Sequence, residues 1–142
     1  LVIIDYKTGN ISLGVWFDER LEDPQLPLYA ITSEGELAAI AFAKVKRGES
    51  RFIGIANEEG ILPAIKPFAQ TRPGAETGSW QEQMDNWELI LLQVGDDFRQ
   101  GEAVVNPKNA MPCRYCDLHA FCRIHEHVVT MNDAVDEGEG NE

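Results

Sequence analysis

The sequence predicts an α/β fold in which a mixed central sheet is flanked by helices. Three observations support this prediction: an apolar strand at the start of the chain, two further strands joined by a short turn, and two segments with helical periodicity. With 142 residues the chain is long enough for one domain with a hydrophobic core. We expect that domain to cover residues 1–127 and an acidic, disordered tail to cover residues 128–142.

The first strand runs from Leu1 to Lys7 and ends in two charged side chains. Leu1 to Ile4 is apolar without alternation, which is typical of an interior strand covered on both faces. Side chains two residues apart in a strand share a face at about 6.5 to 7 Å, so Asp5 and Lys7 are expected to point the same way. Such a carboxylate can hold a divalent cation, and the lysine can position or deprotonate a water. A solvated ion pair is the commoner explanation of so short a pattern.

A short helix is predicted from Pro24 to about Thr32. Asp23 is a favourable N-cap, and Pro24 suits the first helical position, where a missing N–H costs nothing. Gln25 and Tyr29 are four residues apart, so they share one face of this helix. On spacing alone, a half-buried face with satisfied polar tips explains this pair as well as a functional role does.

Two strands with alternating character, Leu37–Val45 and Arg51–Ala56, are expected to form an antiparallel hairpin around the turn at residues 47–50. Between residues 10 and 20 we expect a loop that carries a short apolar patch. Residues 57–78 contain several glycines and prolines, which predicts an excursion of extended segments and loops.

A long helix is predicted to begin at Ser79-Trp80-Gln81-Glu82, which matches a capping box, and to continue to Gly101. Its apolar residues recur at helical spacing and are expected to pack on the sheet as core: Trp80, Met84, Trp87, Leu91, Val94 and Phe98. A short strand at Ala103–Val105 is expected to follow this helix.

The three cysteines of the chain, Cys113, Cys116 and Cys122, form a C-x2-C-x5-C pattern. An odd number of cysteines in an intracellular chain argues against a disulfide framework, so metal ligation is the better interpretation. An iron–sulfur cluster with a fourth cysteine from elsewhere and a zinc site completed by a histidine both remain open. The candidate histidines are His119, His125 and His127.

The formal net charge of −12 is unfavourable for a stand-alone nucleic-acid binder, because such proteins neutralise phosphates with Lys and Arg. Any DNA-binding surface is therefore expected to be local. The sequence has no secretory signal and no apolar run long enough to span a bilayer, so we expect a soluble, cytoplasmic protein without a membrane partner.

Three of these features, in this order, resemble the C-terminal part of PD-(D/E)xK nucleases of the RecB- and AddB-like helicase–nuclease branch. The strand ending Asp5-Tyr6-Lys7-Thr8 is similar to the D-Y-K-T motif, and the helix that carries Gln25 and Tyr29 matches Q-x-x-x-Y. The third feature is the cysteine segment, which follows a Trp-rich helix and the G-x-A-x-x-x-P connection at residues 101–107. The resemblance covers Leu1 to about His125.

The resemblance implies a restriction-endonuclease-like fold and metal-dependent DNA cleavage of the exonuclease type in DNA repair and recombination. Asp5 would coordinate Mg²⁺ or Mn²⁺, and Lys7 would orient the attacking water. Gln25 and Tyr29 would hold the substrate backbone or brace the strand. The cysteines at 113, 116 and 122 would bind a 4Fe–4S cluster in the intact protein, with Zn²⁺ as the alternative cofactor.

The family's earlier acidic motifs and its first cluster cysteine do not occur in this sequence. We therefore expect the chain to be the C-terminal portion of a nuclease that belongs to a larger helicase–nuclease-like protein, with little activity alone. The alternative interpretation is a zinc-stabilised or degenerate nuclease-like module that binds DNA ends or protein partners without cleavage.

Overall fold

The structure is a computed structural model that describes residues 1–124, and in residues 1–100 it forms a three-stranded mixed sheet with helices packed on one face. The strands are β1 (Val2–Lys7), β2 (Ala39–Lys44) and β3 (Arg51–Ala56). The helices are α1 (Gln25–Thr32), α2 (Arg72–Thr77), α3 (Trp80–Gln100), α4 (Met111–Arg114) and α5 (His119–Cys122), with short 3-10 helices at Leu13–Trp16 and Phe68–Gln70. The predicted α/β class with a mixed sheet and flanking helices is confirmed.

The strand order is β1-β2-β3, with β1 parallel to β2 and β2 antiparallel to β3. The predicted hairpin is therefore correct. The prediction that β1 is an interior strand is wrong for the sheet formed by residues 1–124, because β1 lies at its edge. Only one face of β1 is packed: Ile3 contacts the core, whereas Tyr6 on the other face is 74% exposed.

The main core lies between the sheet and the helices. The apolar patch of the 10–20 segment joins this core, because Trp16 is completely buried and its ring centroid lies 4.7 Å from that of Phe42. Trp87 of α3 is also buried, and its Nε1 atom donates a 2.7 Å hydrogen bond to the carbonyl of Trp16. This bond connects residues 71 positions apart and ties α3 to the loop after β1.

Helix α1 begins one residue later than predicted. Pro24 occupies the N-cap position with helical dihedral angles, and no side chain caps the helix. Asp23 is therefore not the N-cap that the sequence suggested. The end at Thr32 is as predicted, and Leu26 and Ala30 bury the inner face of the helix in the core.

The capping box at the start of α3 is confirmed. Ser79 N donates to Glu82 Oε2 at 2.6 Å, and Glu82 N donates to Ser79 Oγ at 3.2 Å. The prediction that the whole apolar stripe is core is wrong for its second half, because Val94 is exposed and Phe98 is 87% exposed. The fully buried positions of α3 end at Trp87.

The 57–78 segment contains a helix that the sequence analysis missed. Thr71 Oγ1 accepts a 3.1 Å hydrogen bond from Gly74 N and caps α2, whose first turn contains Pro73. Gly74 is required there, because a β-carbon would overlap the carbonyl of Phe68. Glycine and proline, taken as loop signals, belong here to a capped helix start.

The chain divides into two compact units, Leu1–Gln100 and the part from Gly101 onward. In the second unit the predicted strand at Ala103–Val105 does not form, and the described helices are α4 and α5. The predicted tail at 128–142 and the candidate ligands His125 and His127 lie outside the described residues. None of the helices in residues 1–124 combines the length and apolar character needed to cross a membrane.

Candidate functional site

The charged end of β1 has the geometry that the strand period predicts. Asp5 and Lys7 project from the same face, and Lys7 Nζ lies 3.0 Å from Asp5 Oδ2. Ile3 packs against the core from the same face, so the pair lies at the edge of the core. The two side chains are about a quarter to a third exposed. The ammonium also lies 5.3 Å from the centroid of the Phe42 ring, which favours a cation at this position.

A second carboxylate, which the sequence analysis did not assign to the site, also pairs with Lys7. Asp23 Oδ2 lies 3.2 Å from Lys7 Nζ, so the amine is held between two acids. The pKa of Lys7 is raised above its usual value, first because of Asp5 and then because of Asp23, both of which favour the ammonium form. The sequence signal was misinterpreted: Asp23 resembled a helix cap, but the chain turns it towards β1 instead.

One oxygen of Asp5 is enclosed and contacts Lys7 without a well-aligned hydrogen bond. Oδ2 is shielded from solvent and has no hydrogen-bond partner among residues 1–124, although Lys7 Nζ is close to it. The contact is thus an ion pair with poor hydrogen-bond alignment. A hard cation prefers carboxylate oxygens, and Asp5 supplies a carboxylate at the end of β1.

The site offers few other metal ligands. Within residues 1–124 no group of three or more His, Cys, Asp or Glu side chains is arranged to hold a metal ion. Mg²⁺ is commonly held by one or two carboxylates, with water and phosphate oxygens at its other positions. Asp5 therefore fits the role of one such protein ligand.

Gln25 and Tyr29 share a face of α1, as their spacing predicts. Gln25 Nε2 donates a long, 3.4 Å hydrogen bond to the Tyr29 hydroxyl, and both side chains are exposed. No polar contact in the described part of the chain joins this pair to Asp5 or Lys7. The pair is close to the site in sequence, because Asp23, which contacts Lys7, lies two residues before Gln25.

The three cysteines are free thiols that are half-buried, and the structure of residues 101–124 does not bring them into a metal-binding group. Their contacts are with local backbone. Cys116 Sγ accepts a 3.4 Å hydrogen bond from Leu118 N, and Cys122 Sγ donates to the carbonyl of His119 at 3.7 Å. The ring of His119, one of the candidate zinc ligands, lies 2.5 Å from the carbonyl of Cys113. Metal binding by the three cysteines therefore stays a prediction, because within residues 101–124 their thiols form no metal-binding group.

Comparison with known protein families gives one match that spans most of the chain. The family model described as PD-(D/E)XK nuclease superfamily matches residues 1–123, a span that includes the sheet, α1 and the cysteine segment. The chain belongs to the PD-(D/E)XK nuclease superfamily, whose members hydrolyse phosphodiester bonds and generally use Mg²⁺ or Mn²⁺. No match was found among curated proteins or solved structures.

Proposed function

We propose that the end of β1 is part of a metal-dependent active site that hydrolyses phosphodiester bonds in DNA. The observation that carries this proposal is the pairing of Lys7 with Asp5, whose Oδ2 atom is enclosed and lacks a hydrogen bond within residues 1–124. An enclosed carboxylate oxygen without a hydrogen bond is costly, and such groups call for a functional explanation. Membership of the nuclease superfamily supports this chemistry.

Asp5 is the proposed ligand of Mg²⁺ or Mn²⁺. When bound, the ion would lower the pKa of a water and offset negative charge on the phosphate. We propose that a further acidic ligand comes from outside the residues that the structure describes, since one carboxylate is a small share of a metal site.

Lys7 acts in this proposal as a charged hydrogen-bond donor. A lysine amine is protonated at neutral pH, and Asp5 and Asp23 raise the pKa of Lys7 further. An ammonium can orient an attacking water and stabilise charge on phosphate oxygens, but it has no lone pair with which to accept a proton. Of the two roles that the sequence leaves open, positioning the water is therefore favoured over deprotonating it.

Gln25 and Tyr29 are proposed to contact the substrate backbone. Their exposure favours this role over bracing β1, because a bracing side chain would be packed against the strand. The weak hydrogen bond between them leaves most donor and acceptor positions available to phosphate or sugar oxygens.

For the protein as a whole we propose exonuclease-type cleavage in DNA repair or recombination, in the cytoplasm and with a helicase domain or subunit as partner. This assignment rests on the resemblance of Asp5-Tyr6-Lys7-Thr8 and of the segment with Gln25 and Tyr29 to helicase–nucleases. The alternative is a degenerate module that binds DNA ends or protein partners without cleavage. Cleavage that depends on Lys7 separates the two.

The test is DNA cleavage by the natural protein that carries this chain, with Mg²⁺, for the unaltered form and for Lys7→Ala. Loss of one group that stabilises transition-state charge costs about 100-fold or more in kcat. Lys66→Ala is the matched control, because Lys66 is an exposed lysine outside the site. Full activity of the Lys7 variant would remove this residue from the mechanism, and an unaltered protein that never cleaves DNA would favour the binding module.

We further propose that the cysteine segment binds a 4Fe–4S cluster in the natural protein, with zinc as the alternative, and that a fourth ligand comes from elsewhere. The clustering of Cys113, Cys116 and Cys122 supports the proposal, and metal binding would require the thiols to leave their local backbone contacts. Iron, sulfide and zinc analysis of protein purified without oxygen, beside Cys116→Ser, tests it. Protein that holds neither metal would refute the proposal.

A further inference from the structure

The connection between β2 and β3 is strongly basic, although the chain as a whole is acidic. Residues 44–51 contain four of the 12 lysines and arginines of the chain, namely Lys44, Lys46, Arg47 and Arg51. Glu49 is the one acid among them, so this basic turn carries a net charge of +3 within a chain of −12. Such a concentration of cations is the local surface that nucleic-acid binding by an acidic protein requires.

The basic turn lies at the same end of the sheet as the candidate site. Lys7 is the register partner of Lys44, and Val45 N donates a 2.9 Å hydrogen bond to the carbonyl of Lys7. Arg47 follows Lys44 by three residues, which is about 10 Å of extended chain. A nucleic-acid strand rises about 3.4 Å per nucleotide, so the turn is within about three nucleotides of a phosphate at Lys7.

The turn is preformed by local interactions. Glu49 N donates a 2.8 Å hydrogen bond to the carbonyl of Lys46, and Gly48 supplies the positive φ of 78° that this tight turn needs. Lys44 and Arg51 are cross-strand partners whose like charges would repel. Glu49 offsets this repulsion, because its carboxylate lies 2.8 Å from Lys44 Nζ and 3.1 Å from Arg51 Nη1.

The hydrogen bond from Lys44 lowers the pKa of Glu49, which favours its ionised form. Glu49 nevertheless leaves much of the positive charge of the basic turn available to a ligand. The Lys46 side chain is 63% exposed, and its Nζ atom makes only a long contact of 3.9 Å with Glu49 Oε2. The Arg51 side chain is 55% exposed. Arg47 is exposed and makes no ion pair within residues 1–124.

We infer that the basic turn binds the phosphate backbone of the DNA strand that enters the site at Asp5 and Lys7. This inference rests on the proposed function and adds the surface that holds the substrate. Cations on a preformed turn position a strand without reading its sequence, because phosphate contacts carry no base information. Lys46 and Arg47 are the residues with most freedom to make these contacts, while Lys44 and Glu49 maintain the turn.

The experiment measures the affinity of the natural protein for a fluorescently labelled DNA oligonucleotide by anisotropy, in EDTA, over a series of salt concentrations. The test variant is Lys46→Gln/Arg47→Gln. The control is Lys66→Gln/Arg72→Gln, which also removes two exposed cations but lies outside the turn. Circular dichroism confirms that each variant is folded.

Each phosphate contact contributes about 0.7 to 0.9 to the slope of log affinity against log salt. Loss of two contacts should lower the slope by about 1.4 to 1.8, which corresponds to roughly 25- to 60-fold weaker binding at 0.1 M salt. In a cleavage assay the test variant should raise KM and leave kcat nearly unchanged.

An unchanged slope, or an equal loss in the control, would overturn the role of the turn. If the unaltered protein still cleaves DNA in a Lys7-dependent manner, the proposed function survives that result. Failure of the unaltered protein to bind DNA at low salt would overturn the inference, and failure to cleave as well would overturn the proposed function with it.

Discussion

Replacing Asp23 with Asn should release Lys7 from one of its two carboxylate partners while keeping the shape of the side chain. The Lys7–Asp23 contact is 3.2 Å, and the two side chains are 35% and 29% exposed. Solvent screens a pair of this exposure, so its loss should cost about 0.5 to 1 kcal/mol of unfolding free energy. The larger effect is expected on catalysis, because Asp5 alone would then position the amine.

The expected result is a fall in kcat of about 10-fold with little change in KM. This is smaller than the effect of deleting Lys7, because the ammonium remains but is less well held. The pKa of Lys7 should fall towards its ordinary value, since Asp23 contributes to raising it. The alkaline limb of the rate profile should therefore move to lower pH.

Lys7 can also be titrated directly by NMR of protein labelled at the lysine ε-carbons, with Lys7→Arg to assign its signal. A raised folded-state pKa contributes stability that is fully present below the ordinary value near 10.5 and is lost as pH rises through the folded pKa. Asp23→Asn should reduce this contribution. Glu34→Gln is the matched control, because Glu34 is an exposed acid just after α1. If Asp23→Asn leaves both the titration of Lys7 and kcat unaltered, Asp23 has no positioning role.

Two further predictions concern stability. Trp87→Phe removes the donor to the buried carbonyl of Trp16 and should lower the free energy of unfolding in urea by about 2 to 4 kcal/mol. Phe98→Ala should change this free energy by less than about 0.5 kcal/mol, because Phe98 is exposed. Equal effects of the two substitutions would contradict the assigned core. The hydrogen bond from Ser79 N lowers the pKa of Glu82, so its contribution is present above about pH 4.5 and is lost as pH falls through the folded pKa. The melting temperature should therefore fall less between pH 6 and pH 3 in Glu82→Gln than in the unaltered protein, and parallel curves would rule out this capping effect.

Elements with short-range physical causes were predicted well from the sequence. The shared face of Asp5 and Lys7 follows from the two-residue period of a strand, and the structure places their charged groups 3.0 Å apart. The hairpin and the start of α3 follow from turn residues and from the capping box of Ser79 and Glu82. In each case the atoms that decide the conformation are within a few residues of one another.

The tertiary structure decided what lies beside these elements. Asp23 appeared to be a helix cap, and only the approach of its segment to β1 makes it a partner of Lys7. Trp16 had no evident role until Trp87, 71 residues away, supplied a hydrogen bond and a packing surface. The helical period of α3 likewise predicts an apolar face, but it does not predict how much of that face other segments cover. Phe98 lies on this face and is exposed.

The sequence by itself therefore determined the first strand, the start of α3 and the placement of Asp5 and Lys7 on one face. The tertiary structure determined that β1 lies at the edge of the described sheet and that Lys7 has two acidic partners. It also placed the basic turn next to Lys7. The physical reason is the separation along the sequence over which each interaction acts. Backbone periodicity and capping act between neighbours in sequence, whereas ion pairs and burial depend on which distant segments the folded chain brings together.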